Sequence, residues 1–317
     1  MTRILYITAT RIGDAILFSG PLAHLLERVP DARVTVACGP LAAPLFEAAP
    51  GVERVIVMAK KKRGGHWFDL WRDTISTRWD LVVDLRGSIT SWGLAAKSRR
   101  VNRRKPGHEH DHRVREAGAV LGLDPPPSPK LWIADAAFAA ADRALPSDRP
   151  VLAVSPAAAA PYKEWAPERF SALIDALTGP SGAMAGAAVA LFGGPGDEGT
   201  TGAVARGVQH GEIIDLAGKL KLTETAAALS RARLFIGNDS GLMHMAAASG
   251  TPTLGLFGPT DARIYGPWGR RARSVHAGEA ADENARGALR HSQESLMGGL
   301  EVHTVLEAAE ALYAQTR

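Results

Sequence analysis

Leu234-Phe235-Ile236-Gly237-Asn238-Asp239-Ser240-Gly241-Leu242-Met243-His244 is the stretch from which this chain can be read. Leu234 to Ile236 is an apolar run short enough for a buried strand. Asn238, Asp239 and Ser240 are all helix-capping residue types, and Gly241 puts no Cβ where the chain turns. An Ala-rich helix over 242–249 follows, stopped by Gly250 with Pro252 just beyond. Residues 253–257 read as a second apolar strand that ends in Gly258-Pro259-Thr260-Asp261. Strand, turn, helix and strand make a βαβ unit, and the amides at its helix N-terminus suit an anion, here a phosphate. His244 lies one helical turn after Ser240, on the same face. A purely structural unit, with Asp239 as an N-cap and His244 as a core histidine, is the plainer alternative. The density of polar groups at one turn favours a site.

Working outward, the same rhythm recurs. Residues 151–155 read as a strand and Pro156 to Ala160 as a small-residue loop, with Lys163-Glu164-Trp165 leading into a helix over 167–177. A strand over 187–192 ends in Gly193-Gly194-Pro195-Gly196-Asp197-Glu198. There a nucleotide can approach the backbone at Gly193, and Asp197 or Glu198 can accept from ribose hydroxyls. Pro146-Ser147-Asp148-Arg149-Pro150 is the best linker, and divides the chain into domains 1–148 and 149–317.

The first domain opens with a strand over 4–8 and the turn Ala9-Thr10-Arg11-Ile12-Gly13-Asp14. A helix over 15–28 follows, with Pro21 expected to bend it. Ligands of open α/β sheets bind outside the carboxyl ends of strands, so Asp14 is either a catalytic carboxylate or a helix cap. Further strands are expected over 34–37, 52–58 and 79–85, the last ending in Arg86-Gly87. Helices are expected over 41–48, 66–77, 113–123 and 135–145, and an amphipathic helix over 302–313 closes the chain.

With 317 residues, 46% hydrophobic and 22% charged, the chain suits two folded domains. Cys38 is the only cysteine, which excludes an internal disulfide framework and a multi-cysteine metal site. A reducing cytoplasm fits that, and no run approaches the length of a membrane span. The net charge of +4 is uneven, with 22 Lys+Arg against 16 Asp+Glu in residues 1–148. Lys60-Lys61-Lys62-Arg63 and the run holding Arg99, Arg100, Arg103 and Arg104 carry the excess. Such runs are either solvated loops or a surface for something acidic, such as lipid headgroups or a phosphorylated glycan. The second run has no interleaved aromatics for base stacking, so nucleic acid ranks last. His108, His110 and His112 alternate with acids and read as a polar loop rather than a metal site.

Gly-Asn-Asp-Ser-Gly-Leu-Met-His, Gly-Thr-Pro and Phe-Gly-Pro-Thr-Asp together resemble the signature of the ADP-heptose:lipopolysaccharide heptosyltransferases, glycosyltransferase family 9. Ile12-Gly13-Asp14, Asp84-Leu85-Arg86-Gly87, Lys163-Glu164-Trp165 and Gly193-Gly194 extend the likeness over most of the chain. The resemblance implies an α/β GT-B fold, with two Rossmann-like α/β/α domains facing a cleft and the last helix returning to the first domain. It implies inverting, metal-independent transfer of a heptose or related sugar from an ADP-sugar co-substrate to an acidic lipopolysaccharide core or lipid A precursor. Asp14 would be the base and Lys163 the charge that steadies the leaving diphosphate. Asp239, Ser240, Gly241, His244, Thr260, Gly193 and Asp197 would hold the donor. Thr10, Arg11, Gly13, Arg99, Arg100, Arg103 and Arg104 would meet the acceptor. Where many relatives have paired serines, this chain has Thr10 and Arg11, a departure that bears on the acceptor. No cofactor or metal is expected, and the enzyme would work in the cytoplasm, peripherally on the inner face of the plasma membrane. A nucleotide-sugar epimerase or hydrolase of the same fold, and a non-catalytic nucleotide-sugar-binding protein, are the alternatives.

Overall fold

The computed structural model describes residues 1–103, 111–278, 292 and 294–316. Among them the chain forms two compact units, Met1–Trp132 and Ile133–Arg317. In the first, strands β1 (Thr2–Ile7), β2 (Ala32–Cys38), β3 (Val52–Val57), β4 (Trp79–Asp84) and β5 (Ala96–Val101) build one parallel sheet in the order β3-β2-β1-β4-β5. Helices α1 (Ile12–Leu17), α2 (Ser19–Arg28), α3 (Gly65–Thr74) and α4 (Arg113–Val120) accompany it. β1 carries Ile4, Leu5, Tyr6 and Ile7, all buried, as a central parallel strand covered on both faces requires.

The helix expected over 15–28 is two helices. α1 ends at Leu17, Phe18 leaves helical geometry (φ −94°, ψ 6°), and α2 starts at Ser19. Pro21 has no N–H to give the Leu17 carbonyl and its ring would press on that oxygen, so it is tolerated only in a helix's first turn. The break therefore comes before the proline rather than at it. Tyr6 Oη fastens the junction by donating to Phe18 O at 2.6 Å. Over 41–48 the structure has only a single 3-10 turn, Ala43–Leu45, with Pro44 inside it. The basic run that looked like a loop is largely the edge strand β5, where charged side chains discourage pairing with another chain.

The second unit adds strands β6 (Val151–Ser155), β7 (Ala188–Leu191), β8 (Ile213–Asp215), β9 (Leu234–Asn238), β10 (Thr253–Phe257) and β11 (Ala272–His276). They pair in parallel in the order β11-β10-β9-β6-β7-β8. Its helices are α5 (Asp135–Ala144), α6 (Pro167–Thr178), α7 (Glu198–Gly207), α8 (Leu222–Ser230), α9 (Gly241–Ala248), α10 (Ala262–Tyr265) and α11 (Val302–Gln315). β11 has no counterpart in the sequence reading.

The structure places the division of the chain earlier than the linker at 146–150. α5 belongs to the second unit, with Ala137 and Ala141 buried, and Asp142 ion-paired to Arg231 beyond α8. In the closing helix, Val305, Ala309 and Leu312 sit in the second unit's own core with Leu173, Ile174, Leu254 and Leu256, so α11 packs on α6, β10 and β11.

Candidate active site

In each sheet the strand order reverses beside the first strand of its unit, and the crevice outside the carboxyl ends at such a switch point is where open α/β sheets bind ligands. The first unit switches between β1 and β4. The turns leaving these two strands line a pocket of about 470 Å³ with Thr10, Arg11, Asp14, Arg86, Asn102 and Arg113 among its walls. Asp14 is the third residue of α1, and neither it nor the N-cap residue Arg11 caps the helix with a side chain. Its carboxylate stands in the first turn of α1, 4.0 Å from Arg113 Nε. Arg113 is itself held over the Phe18 ring at 5.0 Å and paired with Glu116, and Glu116 accepts from Asn102 Nδ2 at 2.6 Å. Arg113, Glu116 and Asn102 were missed from sequence, because only the fold brings α4 and the end of β5 to the end of β1.

The Asp84-Leu85-Arg86-Gly87 block has a structural reason. Asp84 is fully buried and accepts from Arg86 N (2.9 Å), Ser88 N (2.8 Å) and Ser88 Oγ (2.6 Å). Gly87 has φ +65°, and a Cβ there would stand 2.6 Å from Asn102 O. The block thus shapes the turn that presents Arg86 to the pocket.

The second unit switches between β6 and β9, and the quoted stretch leaves the end of β9. Asn238, read from sequence only as a capping type, is fully buried and ties the two strand ends together. Its Nδ2 donates to Pro156 O at 2.6 Å, and its Oδ1 accepts from Trp165 N at 3.2 Å. This clamp brings the loop carrying Lys163 to Asp239, and Lys163 Nζ donates to Asp239 Oδ2 at 2.6 Å. Lys163, expected as a point charge, is thus an ammonium paired with a carboxylate, and Asp239 is the one hydrogen-bond partner of its three donors among the described residues. Ser240 is the N-cap of α9, its Oγ accepting from Met243 N at 3.4 Å, so the amides of Gly241 and Leu242 have no acceptor within the helix. His244 is buried one turn along. Thr260, three residues beyond the end of β10, is 6% exposed, and its hydroxyl has no hydrogen-bond partner among the described residues.

Other candidates have internal work. Asp197 Oδ2 accepts from Gly194 N at 2.7 Å, and Glu198 Oε2 from Gly196 N at 2.8 Å, so each acid holds its own glycine turn. A Cβ on Gly193 would stand 2.7 Å from Asp197 Cβ, so that glycine is required by packing. Asp261 caps α10 and grips Arg263 through Nε (3.0 Å) and Nη2 (2.8 Å). Burial raises the Glu164 pKa, an effect partly offset by the Ala158 N–H and reinforced by Asp197.

The acceptor arginines divide. Arg99 spends its guanidinium on the carbonyls of Ser91 (3.0 Å), Ala96 (3.3 Å) and Leu94, which makes it a brace for β5. Arg100 is exposed, Arg103 lies over the Trp92 ring at 5.3 Å, and Arg104 falls outside the described residues, as do His108 and His110. Gly13 lies within α1, one residue before Asp14.

Two Rossmann-like units, each with polar motif residues at its switch point, make up a fold of the GT-B class. Residues 67–291 match the model for glycosyltransferase family 9 (heptosyltransferase), and the chain belongs to that family. It is 27% identical to lipopolysaccharide heptosyltransferase 3 of Escherichia coli, covering 84% of this chain and 86% of that one. Among solved structures it resembles the glycosyl transferase family 9 protein of Veillonella parvula, with TM-score 0.82, 23% identity and coverage of 99% and 98%. E. coli ADP-heptose lipopolysaccharide heptosyltransferase II gives TM-score 0.76 at 21% identity, covering 99% of each chain.

Proposed function

We propose that this heptosyltransferase-family enzyme transfers a heptose, with inversion, from an ADP-sugar to a hydroxyl of a phosphorylated lipopolysaccharide core. The observation carrying this reading is the Lys163–Asp239 pair beside the open amides of α9. That grouping suits a diphosphate, which needs donors rather than more carboxylates. The donor assignment draws support from a structural neighbour described as an ADP-heptose enzyme.

In the proposed step, the Asp14 carboxylate takes the proton of the acceptor hydroxyl as its oxygen bonds to the anomeric carbon. The bond from that carbon to the diphosphate oxygen breaks, and the electron pair leaves with ADP. Lys163, the Gly241 and Leu242 amides and the Thr260 hydroxyl steady the growing negative charge. Asp239 keeps Lys163 in place, and His244, one turn into α9, is assigned to the donor's phosphates. Arg113, Arg11 and Arg86 suit an acidic acceptor at the Asp14 pocket.

Metal independence is part of the proposal: Asp239 commits one oxygen to Lys163, which makes it a poor partner for magnesium. The test is mass-spectrometric identification of products from a panel of ADP- and UDP-sugars with truncated core acceptors, with and without EDTA. A single heptosylated product from the ADP-sugar, undiminished by EDTA, is expected. Free sugar or an isomerised nucleotide sugar as the sole product would replace this reading with hydrolysis or epimerisation.

A further inference from the structure

The first unit carries exposed apolar side chains that the transfer step leaves unused. α3 and the short turn Ile89–Gly93 lie side by side, and Trp71 Nε1 donates to Gly93 O at 3.2 Å. On these two adjoining elements Phe68, Ile89 and Trp92 are 61%, 87% and 52% exposed. Phe68 stacks on Trp71 with ring centroids 5.7 Å apart, while Trp67 and Trp71 pack inward on the core. The exposed side chains are therefore seated on a firm base and project from it. Single exposed apolar residues are ordinary; an aromatic group of this kind on adjoining elements marks an interaction surface.

Its charge says what it meets. Arg86 lies over the Trp67 ring at 5.5 Å and Arg103 over the Trp92 ring at 5.3 Å. The turn Lys62–Gly64 runs straight into α3, with the Cβ position of Gly64 3.7 Å from Trp67. Asp69 answers Lys61 at 2.6 Å and Arg72 at 3.7 Å, and Asp73 lies near Arg54 at 3.7 Å. Among the described residues no carboxylate pairs with Lys60, Lys62 or Arg63, all exposed. Tryptophan and phenylalanine rimmed by lysine and arginine is the composition of a surface that lies in the headgroup layer of an anionic membrane.

We propose that this face docks the enzyme on an anionic lipid leaflet. Phe68, Ile89 and Trp92 enter the boundary between headgroups and acyl chains, and Lys60, Lys62, Arg63 and Arg103 meet lipid phosphates. No helix among the described residues is long and apolar enough to cross a membrane, so the contact proposed is with one leaflet. The proposal does not depend on the assignment of donor or acceptor.

The test is co-sedimentation of the full chain, without substrates, on vesicles of phosphatidylglycerol with phosphatidylethanolamine and on vesicles of phosphatidylcholine alone. Binding to the anionic vesicles, falling steeply with added salt, is expected. Phe68→Ser/Ile89→Ser/Trp92→Ser should lower partitioning at least tenfold. Lys60→Gln, Lys62→Gln and Arg63→Gln should lower it about fivefold each, as expected for a basic residue at a charged bilayer surface. The charge variants alter exposed side chains only, so they carry the test if the apolar triple variant melts early. No binding to anionic vesicles, or binding by the apolar and charge variants equal to that of the unaltered enzyme, would overturn the proposal. So would a concentration-dependent dimer that the apolar variant abolishes without any loss of vesicle binding, which would assign the face to a second copy of the chain.

Discussion

Asp14 owes its setting to Arg113, and Lys163 to Asp239, so substitutions at these residues separate chemistry from support. Asp14→Asn keeps the shape and removes the proton acceptor. Its kcat should fall at least about a hundredfold while donor affinity, measured by calorimetry, stays near that of the unaltered enzyme. Near-normal turnover would leave the reaction without this base. Lys163→Ala removes one partner of a pair in which Asp239 is 8% exposed, so a nearly buried carboxylate is left uncompensated. Stability should drop by about 3 kcal/mol, the lower end for breaking such a pair, and kcat by roughly a hundredfold or more. Adding Asp239→Asn should restore much of the melting temperature and none of the turnover. Recovery of both would make the pair structural only.

β5 shows why a basic run cannot be treated as one surface. Alternation along a strand sends successive side chains to opposite faces, and the chain's bends decide which of them find carbonyls. Arg99→Ala should cost about 1.5–3 kcal/mol in urea unfolding, the scale of hydrogen bonds to a charged group, and leave kcat near normal. Arg100→Gln should leave stability unchanged, since Arg100 is exposed on the same strand. Equal destabilisation by both would show that β5 is held by its backbone ladder rather than by the Arg99 brace.

At the scale of the molecule, the division of the chain is open to a direct test. A fragment of residues 133–317 retains α5 against α8, whereas one of residues 149–317 uncovers the surface that Ala137 and Ala141 bury. The longer fragment should give a cooperative melt, and the shorter should melt lower or aggregate. Equal melts would return the division to the linker at 146–150. Cys38 offers a probe of the first unit. It is fully buried, and burial, aided by the Glu47 charge, pushes its thiol pKa up to about 12. A thiol reagent at pH 8 should leave the native enzyme unlabelled and react in denaturant as the first sheet opens. Rapid labelling of the folded chain would mean that β2 is more open than its packing implies.

Much of this could be read in advance because the governing interactions are local. Leu234 to His244 carries its strand, cap and helix in consecutive residues, and Ser240 does cap α9. Asp14, Lys163 and Asp239 could be singled out in the same way, since each sits in the segment that follows a strand. What each of them touches could not. Asn238 clamps Pro156 and Trp165 from more than seventy residues away, and Arg113 reaches Asp14 from nearly a hundred. The break at Phe18 was within reach of the proline rule, but the edge position of β5 was not, because an exposed strand without alternating apolar residues has no periodic signal. Propensity and capping act over a few residues, so most elements and the residue types at their ends follow from the chain read in order, while β5 and β11, which carry no apolar alternation, do not. Which acids and bases meet follows from strand order and crossover, which bring them within a few ångströms whatever their spacing along the chain.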